Sequence, residues 1–150
     1  MDDELTPVWR LPGRTRVIAL GVIIEDGRLL VSAVTHDDGS IKGWRVLGGG
    51  VEFGERAAAA LCREFDEELG AQLRGLRQIG VMENLFEHAG AQGHEVAFLF
   101  AAELAVKGKA AAERFILEDG AYRNQAAWIA LDAFQRGDER LLPDGLLGYI

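Results

Sequence analysis

The stretch Leu47–Gly70, LGGGVEFGERAAAALCREFDEELG, decides how this chain is read. The glycines Gly48, Gly49 and Gly50 run into a polar turn, and the segment after it sets Glu64, Asp66, Glu67 and Glu68 almost side by side. On a helix of about 3.6 residues per turn, Glu64, Glu67 and Glu68 share one face, because i,i+3 and i,i+4 positions lie above one another. Ala58, Leu61, Phe65 and Leu69 form the adjoining apolar stripe, as expected of a helix that packs on a sheet through one side. The alanines Ala57 to Ala60 favour the helix, and Gly70 stands where a left-handed C-cap is expected. Cys62 falls at the edge of the stripe and is expected to pack as a small apolar residue. Arg63 and Glu67 make an i,i+4 pair that can orient the carboxylate.

Like charges at this spacing cost about 0.2–0.5 kcal/mol per exposed pair, so a solvated acidic face is a sufficient reading of the helix alone. The glycines beside it favour a second one. Backbone without Cβ can approach closely whatever the acids hold, and its carbonyl oxygens are hard ligands. Glu55, just before the helix, adds another carboxylate. Magnesium takes oxygen donors, uses few carboxylates and keeps positions for water and substrate phosphate. At about 4 Å and an effective dielectric near 20, two carboxylates repel by on the order of 4 kcal/mol. A bound cation reverses that sign.

The whole chain narrows the options further. Its 150 residues suit one domain, residues 1–150, with a real core. Apolar residues make up 49% and charged residues 27%, a globular balance that argues against disorder. No apolar run reaches the roughly 20 residues that span a bilayer, and the acidic start MDDELTPVWR lacks a secretory layout. The lone cysteine excludes an internal disulfide and a multi-cysteine zinc site, which together with the missing leader favours the cytoplasm. The net charge of −8, with no basic cluster, argues against a nucleic acid polymer as partner. Phosphate would be handled through a metal ion.

Along the chain, Arg16–Ile24 and Arg28–Val34 read as a hairpin joined at Asp26-Gly27. HDDGSIKG is a polar loop, and WRV an extended lead into the glycines. LRQIGVMENLF and HEVAFLFAAEL read as strands, AAWIAL as a last strand, and LDAFQRGD as a helix ending near Gly137. Ala105–Asn124 fits a loop with a helical turn. Such an interleaving predicts an α/β architecture, a mixed sheet sandwiched between helices.

At this point the residues resemble a known family. Gly49, Glu55, Arg63-Glu64, Phe65, Glu67-Glu68, Gly70 and Ala71 follow the Nudix box, G-x5-E-x7-R-E-U-x-E-E-x-G-U. Every glycine, arginine and glutamate is present; Phe65 replaces an aliphatic residue and Ala71 is small for its position. The box covers about a sixth of the chain. The resemblance implies the Nudix fold and hydrolysis of a diphosphate linkage in a nucleoside diphosphate derivative, with Mg²⁺, or Mn²⁺ in its place. Carried over, Glu64, Glu67 and Glu68 become metal-binding and catalytic acids, with Glu55 and the Gly48 carbonyl completing the shell and Arg63 holding the acids. A metal lowers the pKa of bound water, and a carboxylate takes the proton. That base is Glu64 or a later loop acid, Glu113, Glu118 or Asp119.

Arg45 is the candidate for phosphate contact, Trp44 for stacking or packing, and Glu118 for the substrate side; Glu83, Phe86 and Glu95 are weaker candidates near the cleft. His36, His88 and His94 lack metal-ligand spacing and are read as surface or structural. No secondary motif of the NADH, ADP-ribose or coenzyme A subgroups accompanies the box, so the nucleotide stays open. Two other readings remain. A non-catalytic Nudix-like nucleotide sensor or partner-binding module would not need the intact acids. A related diphosphate isomerase needs a further cysteine and a histidine-rich site. Trp9, Leu11 and the C-terminal LLGYI could serve a homodimer interface or the core.

Overall fold

The computed structural model describes residues 11–119 and 122–150, with the Asp119 side chain outside that description. Strands β1 (Thr15–Val22), β2 (Ile24–Glu25), β3 (Arg28–Thr35) and β4 (Ile41–Gly50) lead into helix α1 (Ala57–Leu69). Two long strands follow, β5 (Gln72–His88) and β6 (Ala91–Val106), then a 3-10 turn at Gly108–Ala111. β7 (Arg114–Asp119), β8 (Tyr122–Ala130), a short helix α2 (Leu131–Gln135), β9 (Leu141–Leu142) and a 3-10 turn at Leu146–Tyr149 complete the order. The strands form one mixed sheet in the order β5-β6-β1-β4-β3-β8-β7. β1 runs parallel to β6 and β9 parallel to β4, the remaining pairs being antiparallel. Among the described residues no helix is long and apolar enough to cross a membrane.

Alternation along β1 sets up two cores. Ile18, Leu20 and Val22 point to one face, where they meet Val31, Val46, Leu99, Phe134 of α2 and Leu146. Ala19 points to the other, where Leu61, Phe65 and Leu69 of α1 pack with Ile23, Leu30, Leu47, Phe100 and Trp128. Fully burying side chains of this size stabilises by about 1.5–3 kcal/mol each, so the apolar stripe is what holds α1 against the sheet. Gly21 lets the helix sit close, since a Cβ there would be 3.2 Å from the Phe65 ring. α1 closes on Gly70, whose N–H donates to the Asp66 carbonyl, while the Ala71 N–H reaches back to Phe65 and caps the last turn.

Three expectations are corrected. The Asp26-Gly27 turn exists, with Asp26 at φ 52° and Gly27 at 73°, but the hairpin is confined to its tip, Ile24 with Leu29 and Glu25 with Arg28. The body of β1 pairs instead with β4 and β6. Its middle is buried on both faces, so it needs a neighbour on each edge, and the turn fixes only local register. Secondly, Ala105–Asn124 holds more than a loop: after its 3-10 turn, β7 pairs with β8 and turns Phe115 and Leu117 against the α1-side core. Thirdly, Cys62 is exposed rather than packed, because the buried stripe of α1 runs through Leu61, Phe65 and Leu69. In the C-terminal LLGYI, Leu146 is a core residue, while Tyr149 and Ile150 stay exposed; Trp9 lies outside the described residues.

Candidate active-site cleft

The glycines are the end of a strand. Gly48, Gly49 and Gly50 pair with Leu20, Ala19 and Ile18 of β1, which brings β4 under the acidic face of α1. Two of them are dictated by space. A Cβ on Gly48 would lie 1.9 Å from the Ala19 carbonyl oxygen, and one on Gly49 would lie 2.4 Å from the Glu64 carboxyl carbon. Gly49 thus admits Glu64 directly onto the strand backbone.

Arg63 organises the box. Its Nε and Nη2 donate to the two oxygens of Glu55 at 2.8 and 3.0 Å, its Nη1 to Glu64 at 3.0 Å and to Glu67 at 3.3 Å, and its Nη2 also to the Gly50 carbonyl at 3.0 Å. The Glu55 carboxylate in turn accepts from the Glu52 N–H at 3.1 Å, which pins the turn before α1. Arg63 bonds first, then that backbone N–H, bring the Glu55 carboxyl down to about 2. Arg63 is correspondingly held above its ordinary value, chiefly by Glu55. Burial pushes the Glu64 carboxyl up, and Arg63 and a hydrogen bond with Glu68 pull it back. A charge that burial disfavours on a strand of backbone dipoles is one that a cation would stabilise.

The cleft has a volume of about 900 Å³ and is walled at one end by Gly48, Gly49, Gly50, Glu64 and Glu68. Glu55 and Glu67 are not part of that wall; they are tied to Arg63 on its outer side, with the Glu67 side chain 58% exposed. Among the described residues no three acidic, histidine or cysteine side chains converge as a ready metal cage. The donors nevertheless fit Mg²⁺, which is commonly held by one or two carboxylates with water and phosphate oxygens supplying the rest. Glu64 and Glu68 are the box carboxylates that line the cleft, with the glycine strand beside them.

Arg45 lines the cleft, as does Arg16 of β1, which the sequence reading passed over. Both donate to Glu95, Arg16 Nη1 at 3.1 Å and Arg45 Nη2 at 3.2 Å, and Glu95 is only 3% exposed. Arg16 was findable: it shares the inward register of Ile18 and Leu20, a position where a charge needs a reason. Trp44 does not reach the cleft. It is buried in the α2-side core, where its indole N–H donates to Glu139 at 2.9 Å. Glu118 is exposed on β7 beside Arg123, and Glu113 pairs with Arg28 at 3.0 Å; neither lines the cleft. Glu83 and Phe86 do line it, Glu83 hydrogen-bonded to His94 at 3.0 Å. His88 is buried along the cleft wall, while His36 is exposed in the β3–β4 turn.

The chain is similar to known proteins. A family model, the NUDIX domain, matches residues 14–145. Nucleoside triphosphatase NudI of Escherichia coli K12 is 48% identical over 61 residues, which make up 40% of this chain and 43% of that protein. The chain therefore spans about two fifths of the length of the curated relatives it matches. A MutT NUDIX hydrolase from Burkholderia pseudomallei shares 26% identity at a TM-score of 0.60, over 79% of this chain and 85% of its own. A NUDIX hydrolase from Nitrosomonas europaea, at 18% identity, shares the fold with a TM-score of 0.63 over 91% of this chain and 86% of its own. With the box on its strand and helix and the family model running through nearly all of the sheet, the chain belongs to the Nudix family.

Proposed function

We propose that this chain is a Nudix pyrophosphohydrolase that opens the diphosphate linkage of a nucleoside diphosphate derivative. Nucleoside triphosphates are the class to try first, since the NudI relatives are named for them. The observation behind the reading is the placement of Glu64 and Glu68 against the glycine strand at one end of a cleft of about 900 Å³, within the usual range for small-molecule sites. Glu64, Glu68 and glycine backbone oxygen would hold Mg²⁺ or Mn²⁺, while Glu55 and Glu67 act through Arg63. When bound, the metal neutralises diphosphate charge and acidifies water.

The chain's own residues supply position and a base. Arg63 fixes the direction of Glu64 by a charge-assisted bond. The Glu64 carboxyl, raised by burial, is the base we assign; of the later acids, Glu113 and Glu118 are engaged with arginines outside the cleft wall. Arg16 and Arg45 line the same cleft and would face the substrate's anionic groups. We place the enzyme in the cytoplasm, in keeping with its single exposed cysteine.

The test is release of nucleotide from a panel of nucleoside triphosphates, ADP-ribose and dinucleoside polyphosphates, with and without Mg²⁺, accompanied by pyrophosphate from the triphosphates and by ribose 5-phosphate from ADP-ribose. Metal-dependent cleavage of at least one member is expected. Failure on the whole panel by folded protein contradicts the reading.

A further inference from the structure

We infer that Glu95, buried between Arg16 and Arg45, is a positioning residue that holds the two guanidiniums as one clamp for the part of the substrate's polyphosphate not gripped at the acidic end. The inference rests on the diphosphate reading of the same cleft. Its basis is an ion trio drawn from β1, β4 and β6. Glu95 accepts from Arg16 at 3.1 Å and from Arg45 at 3.2 Å, and the arginine side chains keep 23% and 24% of their surface exposed while Glu95 keeps 3%.

A buried ionic group of this kind is weak evidence for stability, because apolar residues of similar volume commonly do as well. Its neighbours along the same face of β6 and β1 are apolar: Ala97, Leu99, Ile18 and Leu20. A charge trio set into that row therefore calls for a use. Two guanidiniums against one carboxylate leave one positive charge in excess, on a chain whose net charge is −8. Each guanidinium has five N–H donors, and each donates to Glu95. Without Glu95 the two cations would repel one another; burial lowers the Arg16 pKa and Arg45 lowers it further, while Glu95 works against both.

The clamp also lies in the right place. A Cβ on Gly50 would stand 3.7 Å from Arg16 Nη2, so this guanidinium borders the strand that meets Glu64. Arg45 follows on β4, four residues before Gly49, in the same cleft. A chain of phosphates in the cleft would meet the acid-held cation and, beside it, the clamp. Arginine forks suit phosphate oxygens in geometry as well as charge.

Calorimetric titration with inorganic tripolyphosphate in the presence of Mg²⁺ tests this without needing turnover. Wild-type protein should bind, and Arg45→Met and Glu95→Gln should each weaken Kd by about tenfold to a hundredfold, with Arg45→Lys recovering only part. On any nucleoside triphosphate that is hydrolysed, KM should rise in parallel while kcat stays within about threefold, as for lost uniform binding. If Glu95→Gln does not fold, Glu95→Asp, which shortens the reach to both guanidiniums, decides in its place. Binding that the variants weaken, with no nucleotide hydrolysed, would overturn the hydrolase reading and support the clamp. Hydrolysis with Kd and KM unchanged in the variants would overturn the clamp alone, and so would absence of tripolyphosphate binding by the wild type.

Discussion

At the helix end of the cleft one arginine, Arg63, is shared by Glu55, Glu64 and Glu67, whereas on the sheet one glutamate, Glu95, is shared by Arg16 and Arg45. Both clusters rest on the same charge-assisted bond, but their surplus charge has opposite sign. The helix cluster is left with excess negative charge, which a cation would satisfy. The sheet cluster is left with excess positive charge, which an anion would satisfy. They also differ in wetness: Glu67 is largely exposed, while Glu95 is almost completely buried. Solvent therefore screens part of the first cluster, whereas breaking the second leaves charge with nowhere to go. A diphosphate with its metal is the kind of ligand that uses both signs at once.

Breaking the negative end should have the largest effect. Glu68→Gln removes a cleft carboxylate without changing its size, and kcat should fall by roughly 10²–10⁴-fold, checked by steady-state assay on folded protein. Removing both cations from the sheet cluster comes next. Arg16→Met together with Arg45→Met strands Glu95 in the interior, and chemical denaturation should show a loss of about 3–5 kcal/mol. A loss below about 1 kcal/mol would mean that Glu95 finds water or another partner.

Arg63→Met sharpens the comparison from the other side. It leaves the cleft acids in place but unoriented, and activity should drop by about 10–100-fold, the usual cost of a supporting residue around a metal site. The smallest effect is in the acid limb of stability. Glu55 has its carboxyl at about 2 in the folded chain against an ordinary 4.5. Its contribution is complete above about 4.5 and is lost as pH falls towards 2, since the unfolded chain takes up the proton first. Thermal midpoints between pH 5 and pH 2 should fall less steeply in Arg63→Met than in wild type. Equal slopes would contradict the pairing.

The two clusters were not equally legible in the sequence. Arg63 and its partners lie within a turn or two of one another, so helical spacing and the box pattern expose them together. The core stripe Leu61, Phe65 and Leu69 was legible for the same reason. Glu95, Arg16 and Arg45 lie on three strands brought together only by the parallel pairing of β6 with β1 and the antiparallel pairing of β4 with β1. Local pattern carries no information about such partners. The hairpin misreading has the same root: Asp26-Gly27 announces a turn, while burial on both faces of β1 decides who its neighbours are. Trp44 was ambiguous from sequence because a strand offers two faces, and register turned it to the core. The exposed Glu67 shows the converse, a residue in the right pattern that the wall of the cleft leaves outside.

The hydrolase reading stands on the cleft carboxylates Glu64 and Glu68 holding a divalent cation beside the glycine strand. Titration of the folded chain with Mn²⁺, with a non-hydrolysable nucleoside diphosphate analogue present and free ion followed by electron paramagnetic resonance, tests it most directly. Saturable uptake by the wild type that disappears in the Glu64→Gln, Glu68→Gln double variant is the expected result. Equal uptake by both proteins, or none by either, would contradict it.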